Sequence, residues 1–262
     1  MTSHQATTAL DLTYVIYDEG SHLSFILALL TLSPILLMAS YAALSVFTRE
    51  YIILVMWAGQ FFGEGLNLVI KRLVKQDRPF EHLGSGYGFP SSHSQYMGYF
   101  TTFLLTHIYF RHRFTPTGTP ILDKLLHISV PAVLLLWTSG VAYSRYHLSY
   151  HTPIQIISGL LIGSLLAIIT YTLSYILPTK YPGSPLGQIY FYILDNPLSQ
   201  FVGLRDGWAI WRDSGKCEEW VRWRDEWEKV KVQQGVPQTR KEGKSRAVKT
   251  ENGRMKLDKK RH

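Results

Sequence analysis

Long uncharged stretches separated by short charged loops occupy the first two thirds of the chain. Residues 24–46 form a 23-residue stretch without a charge, and residues 154–177 form a second uncharged stretch. An α-helix rises about 1.5 Å per residue, so a stretch of this length crosses a hydrocarbon core roughly 30 Å thick. Each stretch therefore predicts a transmembrane helix.

Three weaker candidates lie between these stretches: residues 52–70, about 95–110 and about 125–143. Each is short or polar, and the first contains Glu64 and Asn67. Helices that face the interior of a bundle tolerate such residues. The pattern predicts an all-α polytopic membrane helix bundle with about five transmembrane helices. Residues 186–194 are too few to span and are interpreted as a re-entrant or interfacial piece.

Charge is divided unevenly along the 262-residue chain. Residues 1–179 have a net charge of +1, whereas residues 180–262 carry 18 Lys and Arg against 11 Asp and Glu, a net charge of +7. By the positive-inside rule, the C-terminal part is expected in the cytoplasm and the acidic N-terminus outside or in a lumen. This distribution excludes an evenly mixed soluble domain, and the apolar first part excludes wholesale disorder.

Two loops at the membrane boundary are predicted to meet. With five helices, the ends of the second and fourth and the starts of the third and fifth share one side, which places residues 71–94 beside residues 144–153. The first of these loops is basic although it lies on the non-cytoplasmic side. We interpret this exception to the positive-inside rule as a functional requirement for cations there.

The residues of these loops indicate chemistry on an anion. Lys71, Arg78 and Arg145 supply cations suited to phosphate oxygens. Backbone N–H groups at the start of the third helix add to an anion site. His93 and His151 can divide the roles of nucleophile and general acid. No Cys or carboxylate cluster accompanies them, so the chemistry requires no metal cofactor.

Three short motifs contain these residues in order. Lys-x6-Arg-Pro is filled by Lys71, Arg78 and Pro79, Pro-Ser-x-His by Pro90, Ser91 and His93, and Ser-Arg-x5-His by Ser144, Arg145 and His151. Together they resemble the signature of the type-2 phosphatidic acid phosphatase superfamily, which also includes haloperoxidase-like folds. The stretches EGLNLVIK, PSSHSQYM, and YSR followed by YHT are similar to the dolichyl diphosphate phosphatase branch. The resemblance covers roughly residues 24–178 and, more weakly, LSQFVGLRD from Leu198.

The resemblance implies a covalent phosphohistidine route without a divalent metal. His151 would attack the terminal phosphorus, and His93 would protonate the leaving group before water hydrolyses the phosphoenzyme. The oxygens would be held by Lys71, Arg78 and Arg145, with help from Ser92 and nearby backbone N–H groups. The implied substrate is dolichyl diphosphate, converted to dolichyl phosphate and phosphate in the endoplasmic reticulum membrane. The implied role is to recycle the lipid carrier of protein N-glycosylation.

One position departs from the superfamily pattern. Four residues after the second histidine the superfamily usually has an Asp, and this chain has Gln155. A Gln carbonyl accepts a hydrogen bond from the imidazole and fixes its tautomer, but it brings no negative charge. The dolichyl diphosphate branch tolerates Gln there. Our hypothesis is that Gln155 orients His151.

Glu64 lies two helical turns before Lys71 on the same face. A charged residue in the centre of a span costs about 2.5–3.5 kcal/mol on insertion scales, so Glu64 is expected to face the bundle and to be paired. Two roles are open: a structural ion pair that braces Lys71 or Arg145, or direct catalysis.

His147 and His151 are four residues apart, but without a third ligand they do not predict a metal site.

Four segments are predicted from these patterns: a lumenal N-terminal segment (1–23), a transmembrane catalytic domain (24–178), an interfacial Trp-rich cytoplasmic segment (179–233) and a basic disordered cytoplasmic tail (234–262). Trp220, Trp223 and Trp227 share a helical face among charges, which favours an amphipathic helix on the membrane over soluble packing. For the basic tail, anionic membrane lipids are a simpler interpretation of the binding partner than nucleic acid is. Lys259 and Lys260 resemble a dilysine retrieval signal, although the abundance of basic residues there also allows coincidence.

Other functions share parts of this pattern. A broader lipid phosphate phosphatase or an undecaprenyl diphosphate phosphatase would use the same catalytic residues. A catalytically silent lipid-binding scaffold is conceivable because Gln155 replaces the usual Asp. A haloperoxidase, which uses a similar anion cage, is disfavoured by the membrane spans.

Overall fold

The computed structural model describes residues 15–18, 20–80, 86–114 and 118–233. Within these residues the chain is helical, and its extended pairing is one isolated parallel bridge between Glu50 and Arg205. The predicted all-α class is confirmed. The basic tail predicted over 234–262 and most of the N-terminal segment predicted over 1–23 lie outside the described residues.

The described helices follow one another in the order α1 His22–Thr31, α2 Ser33–Thr48, α3 Tyr51–Val74, α4 Ser92–Phe110, α5 Pro120–His147, α6 Pro153–Tyr171, α7 Leu177–Lys180, α8 Pro185–Asp195, α9 Pro197–Val202 and α10 Lys216–Gln233. A π-helical turn at Thr172–Ile176 joins α6 to α7. Helices α1 to α9 belong to one compact unit, and α10 begins a second unit at Lys216.

Four helical stretches of the described chain are long and apolar enough to span a membrane: His22–Thr48, Tyr51–Val74, Pro120–His147 and Pro153–Lys180. They expose large apolar side chains, such as Phe47 at 85% and Leu73 at 77% exposure, as expected for surfaces that face lipid. The predicted count of about five spans is not confirmed. The third predicted span corresponds to α4, which packs against α3, α5 and α6. Because it faces protein, α4 does not need an apolar composition.

The first predicted span is interrupted. α1 ends at Thr31 and α2 begins at Ser33, with Pro34 in its first turn. Proline lacks an N–H and clashes with the preceding helical turn, so it separates the two helices at Leu32. The Ser33 hydroxyl donates to the Leu30 carbonyl at 2.6 Å and satisfies one carbonyl at the break.

Helices α4 and α6 approach each other closely through glycines. A Cβ atom at Gly98 would lie 2.6 Å from the Leu160 carbonyl oxygen, and one at Gly159 would lie 2.6 Å from the Ser91 carbonyl oxygen. A Cβ atom at Gly163 would overlap the Gln95 carbonyl. Small residues at such a crossing allow two backbones to touch. The N-termini of α4 and α6 are consequently held side by side.

Buried hydrogen bonds and ion pairs fasten residues 203–215 to the bundle end where α3 begins and α4 ends. Glu50 accepts hydrogen bonds from Arg205 Nε at 2.8 Å, the Gly207 N–H at 2.9 Å and Ser214 Oγ at 2.7 Å. The adjacent Asp206 carboxylate accepts from Arg111 Nη1 and from the Tyr190 hydroxyl, both at 2.7 Å. Buried charges that are paired in this way hold one arrangement strongly, since removal of one partner leaves the other uncompensated.

Gly163→Ala is expected to lower the thermal midpoint of the purified protein in detergent. The new methyl group overlaps the Gln95 backbone, and overpacking of this kind costs about 1–3 kcal/mol. Gly65→Ala in α3 is the matched control because nothing lies within 4 Å of its Cβ position. The control is expected to be neutral or slightly stabilising, since alanine favours helix over glycine. Equal thermal midpoints for the two variants would contradict the close crossing.

Asp206→Ala is expected to destabilise the protein by about 3–5 kcal/mol because it leaves the Arg111 charge buried and unpaired. The matched control is Glu226→Ala, which removes an exposed ion pair to Lys229 and is expected to cost less than about 1 kcal/mol. Thermal unfolding in detergent compares the two variants. A loss for Asp206→Ala no larger than that of the control would show that the pair contributes little.

Candidate active site

The two loops predicted to meet lie together at the end of the bundle where α4 and α6 begin. The Ser91 N–H, just before α4, donates to the Gln155 carbonyl in the first turn of α6 at 3.1 Å. The Gln155 side-chain Nε2 donates to the Asp77 carbonyl, in the segment after α3, at 3.0 Å. Three separate parts of the chain are thus joined within hydrogen-bonding distance of one residue.

His151 lies in the turn between α5 and α6. The N–H groups of Tyr150 and His151 both donate to the Arg145 carbonyl, at 3.1 and 3.2 Å. Ser149 adopts the left-handed conformation with φ of 59°, which turns the chain back onto the end of α5. The His151 side chain is 3% exposed. Its position is therefore fixed by the backbone of the helix end that also carries Arg145.

The hydrogen bonds of Gln155 determine the tautomer of His151. A carbonyl can only accept, so the group that faces the Asp77 carbonyl must be the Gln155 NH₂, and the group 3.1 Å from His151 Nδ1 must be its oxygen. His151 Nδ1 then carries the proton and donates it to Gln155 Oε1. The other ring nitrogen, Nε2, keeps its lone pair for a nucleophilic attack.

The surroundings of His151 keep its imidazole neutral. Burial and, to a smaller extent, the nearby Arg145 guanidinium lower the pKa of His151 to about 3, although the hydrogen bond to Gln155 offsets part of the effect. More distant Arg78 and Lys71 charges act in the same direction as Arg145. At neutral pH the free site therefore presents an unprotonated nitrogen beside positive charges.

Arg145 is a buried cation that forms no ion pair with a carboxylate among the residues that the structure describes. Its side chain is 4% exposed, its guanidinium carbon lies 4.0 Å from the centre of the Tyr150 ring, and its buried Nε has no hydrogen-bond partner. Among the ion pairs of the described residues, none includes Arg145. A buried unpaired charge is costly, so this arrangement is suited to an incoming anion.

Two further cations and the start of α4 adjoin Arg145. Lys71 and Arg78 are both half-buried, and Lys71 lies within electrostatic range of Arg78 and Arg145. Ser92 and His93 occupy the first turn of α4 and are half-buried. The helix start presents backbone N–H groups and the positive end of its dipole. His93 is within electrostatic range of Arg145, His151, Lys71 and Arg78, so the structure brings the two predicted histidines and the three predicted cations together.

The predicted supporting residues have mostly structural contacts. The Ser91 hydroxyl caps α4 by accepting from the Ser94 N–H at 3.4 Å. Ser144 Oγ donates to the Val141 carbonyl at 2.7 Å and lies 2.9 Å from Thr31 Oγ1, so it joins α5 to α1. Pro79 is exposed beside Arg78. Their hydroxyls and ring shape the site instead of lining it.

The direct ion pair expected for Glu64 is not formed. In the described part of the chain its carboxylate has no Lys or Arg nitrogen within 4 Å, although it interacts electrostatically with Lys71 at longer range. The brace on this face is Asn67, whose amide donates to Gln95 Oε1 at 2.8 Å. Amides satisfy each other's donors and acceptors without a buried charge, so they replace the ion pair.

His147 is separate from His151. Its side chain is exposed and its ring lies 5.7 Å from that of Tyr143 on the same helix. The spacing of four residues, which would place two side chains on one helical face, does not apply because α5 ends at His147.

Known proteins with similar sequences identify the family of this chain. A sequence model of the PAP2 superfamily matches residues 51–177. Dolichyldiphosphatase 1 of Dictyostelium discoideum is 35% identical over 201 residues, which cover 74% of this chain and 85% of that protein. This chain belongs to the dolichyldiphosphatase family of the PAP2 superfamily.

Other dolichyldiphosphatases are similar to the chain over more than half of its length. Dolichyldiphosphatase 1 of Homo sapiens is 32% identical over 199 residues, or 74% of this chain and 80% of that protein. The dolichyldiphosphatase of Saccharomyces cerevisiae is 36% identical over 163 residues, or 59% of this chain and 65% of that protein. No solved structure matches the chain.

Several residues of the site were not identified from the sequence. Tyr150 supports the Arg145 guanidinium, Gln95 donates to the Gly63 carbonyl at 2.7 Å and accepts from Asn67, and Gly88 packs against the Gln155 amide. Two sequence signals could have identified them: the aromatic Tyr150 directly before the second histidine, and Asn67 within an apolar helix, which calls for a buried polar partner such as Gln95. Gly88 had no such signal, since its role depends on a contact between distant parts of the chain.

The lowered pKa of His151 predicts a pH dependence of stability. Unfolded His151 takes up a proton below about pH 6.5, whereas the folded residue stays neutral down to about pH 3. The contribution of neutral His151 is therefore complete above pH 6.5 and is lost as the pH falls, by about 2 kcal/mol at pH 5. Between pH 7.5 and 5, the thermal midpoint of the wild type is expected to fall further than that of His151→Gln. Parallel curves would contradict a buried neutral imidazole.

Proposed function

We propose that this protein is an integral membrane phosphatase that hydrolyses dolichyl diphosphate to dolichyl phosphate and phosphate. The observation that carries the proposal is a buried Arg145 that forms no ion pair with a carboxylate of the described chain, close to a neutral His151 whose Nε2 is unprotonated. An anion must neutralise the first, and the second is a ready nucleophile. The relatives named dolichyldiphosphatase support a diphosphate of this lipid class as the anion.

The proposed reaction begins with attack of His151 Nε2 on the terminal phosphorus. The new P–N bond forms while the P–O bond to the second phosphate breaks, and His93 donates a proton to the departing oxygen of dolichyl phosphate. A water molecule, deprotonated by His93, then attacks the phosphohistidine. The P–N bond breaks, inorganic phosphate leaves and His151 returns to its neutral form.

Positive groups stabilise the charge that develops on the transferred phosphoryl group. Lys71, Arg78 and Arg145 are assigned to its oxygens, together with Ser92 and the backbone N–H groups of the first turn of α4. Charge in phosphoryl transfer is spread over three equatorial oxygens, and cations that are already in position stabilise it without reorganisation. Gln155 is assigned the orientation of His151, and Glu64 supports Lys71 through its charge at longer range.

The proposed location is the endoplasmic reticulum membrane, with the active site on the lumenal side and the C-terminal tail in the cytoplasm. The charge distribution of the sequence supports this orientation. The polyprenyl chain would lie between the spans of the 24–178 catalytic domain, and the product would re-enter the lipid carrier cycle of N-glycosylation. Membrane lipids are the proposed partner of the 179–233 segment, where Trp220, Trp223 and Trp227 are all exposed.

Purified wild-type protein is expected to release phosphate from dolichyl diphosphate in the presence of EDTA. His151→Ala is expected to reduce this rate by at least about 1,000-fold because it removes the nucleophile. With the terminal phosphate radiolabelled, the wild type and not His151→Ala should retain an acid-labile, base-stable label after a rapid quench. His147→Ala is the control, since this exposed histidine is outside the site.

The same assay separates the competing functions. A rate on phosphatidate equal to that on dolichyl diphosphate would support a broad lipid phosphate phosphatase. If the wild type releases no phosphate from either lipid, the enzymatic function is wrong and a lipid-binding scaffold is favoured. Full activity of His151→Ala would reject the phosphohistidine route.

A further inference from the structure

The Gln155 side chain is bonded at both ends of its amide. Its Oε1 lies 3.1 Å from His151 Nδ1 and also accepts from the Thr152 N–H at 3.3 Å. Its Nε2 donates to the Asp77 carbonyl at 3.0 Å. The residue is fully buried. It therefore connects the histidine turn to a segment 78 residues away in sequence.

Only an amide can make both connections. A carboxylate has acceptors alone, so at this position it could receive the His151 proton but would face the Asp77 carbonyl with a second oxygen. Two acceptors in contact without a proton between them repel each other, and burial strengthens the effect. Orientation of His151 would be served equally by either group. The bond to Asp77 is what requires the amide.

The hydrogen bond to the Asp77 carbonyl restricts the backbone orientation of Arg78. The carbonyl of Asp77 and the N–H of Arg78 belong to the same planar peptide group, so a bond to this carbonyl restricts the direction in which Arg78 leaves the backbone. The preceding residue is held as well, because the Gly88 N–H donates to the Gln76 carbonyl at 2.7 Å. Residues 76–78, which we call the cation segment, are thus held by the same Gln155 amide that orients His151, the proposed nucleophile.

Gly88 provides the space for this amide. A Cβ atom at residue 88 would lie 2.8 Å from Gln155 Nε2, 2.9 Å from Oε1 and 3.1 Å from the Asp77 carbonyl oxygen. Gly88 does not have a positive φ, so its backbone suits any residue. The absence of a side chain is needed for close approach alone.

We infer that Gln155 and Gly88 form a positioning device that sets Arg78 relative to the His151 nucleophile during phosphoryl transfer. We call the bond from Gln155 Nε2 to the Asp77 carbonyl the amide bridge. This inference rests on the proposed function, since it concerns the same site. It goes further by assigning the donor half of the Gln155 amide to the cation segment and by giving Gly88 a role.

Gln155→Glu separates the bridge from the orientation of His151. At a pH where it is ionised, the introduced carboxylate keeps an oxygen for His151 Nδ1 and adds a negative charge, but it cannot donate to the Asp77 carbonyl. If orientation alone matters, kcat equals or exceeds that of the wild type. If the amide bridge positions Arg78, kcat falls about 10- to 100-fold, since a small misplacement of a catalytic cation has effects of this size. The added charge also raises the pKa of His151, which moves the acid limb of the kcat/KM profile upward.

Gly88→Ala disturbs the bridge without removing a polar group. The expected result is a 10- to 100-fold loss of kcat with a change in KM below about threefold. The inhibition constant of orthovanadate, a mimic of the transferred phosphoryl group, is expected to rise in parallel. Partial unfolding would lower the active fraction and leave this constant unchanged. Gly183→Ala is the control, because this loop glycine has nothing within 4 Å and no positive φ.

A double-mutant cycle tests whether the effect passes through Arg78. In an Arg78→Ala background, Gly88→Ala and Gln155→Glu are expected to cause less than about a threefold further loss, because the group that they position is gone. If the losses of kcat are fully additive with that of Arg78→Ala, or if the vanadate inhibition constant is unchanged in both single variants, the inference is wrong. The proposed function would still stand, because the wild type is active in both cases. A wild type that releases no phosphate would instead overturn the proposed function, and the inference with it. If Gly88→Ala does not fold, Gln155→Glu and the cycle decide the question.

Discussion

The close crossing of α4 and α6 is the constraint on which the rest of the structure depends. Glycines at positions 98, 159 and 163 leave no room for a side chain between the two backbones. In a membrane, where burial of apolar surface between helices gives little driving force, such contacts and interhelical hydrogen bonds hold helices together. The crossing sets the start of α4 beside the start of α6. His93 lies in the first turn of α4, and His151 lies in the turn just before α6, so the crossing helps to set the two histidines relative to each other.

The buried charges at the two ends of the bundle are arranged differently. Where residues 203–215 meet the bundle, the two buried carboxylates are paired, Glu50 with Arg205 and Asp206 with Arg111. At the opposite end Arg145 is buried, and no carboxylate in the described part of the chain forms an ion pair with it. The first arrangement is self-sufficient and stabilises one conformation. The second is complete only with an anion, and the neutral amides of Gln155, Gln95 and Asn67 brace it without cancelling its charge. The buried positive charge costs stability while the site is empty, and the phosphate group of the proposed substrate would compensate it.

The exchange of the usual Asp for Gln155 has a structural meaning in this setting. A carboxylate would raise the basicity of His151 but would also neutralise part of the cation cluster. The amide keeps the imidazole in one tautomer, leaves its pKa low and uses its second end to reach Asp77. The nucleophile and the cation segment are consequently parts of one hydrogen-bonded unit, joined through a residue that sits in the first turn of α6.

The sequence by itself determined the helical membrane architecture and the identity of the residues that meet. Long uncharged stretches form helices in lipid, and three ordered motifs at their ends contain the residues that we propose for the phosphate chemistry. The number of spans was not determined, because α4 is enclosed by protein and lacks the apolar composition on which the count relies. Tertiary structure alone decided the break at Leu32, the role of Asn67 in place of a Glu64 ion pair, and the contact of Gly88 with Gln155. Each depends on a close approach between residues far apart in the chain, and such distances are set by packing, which no local pattern encodes.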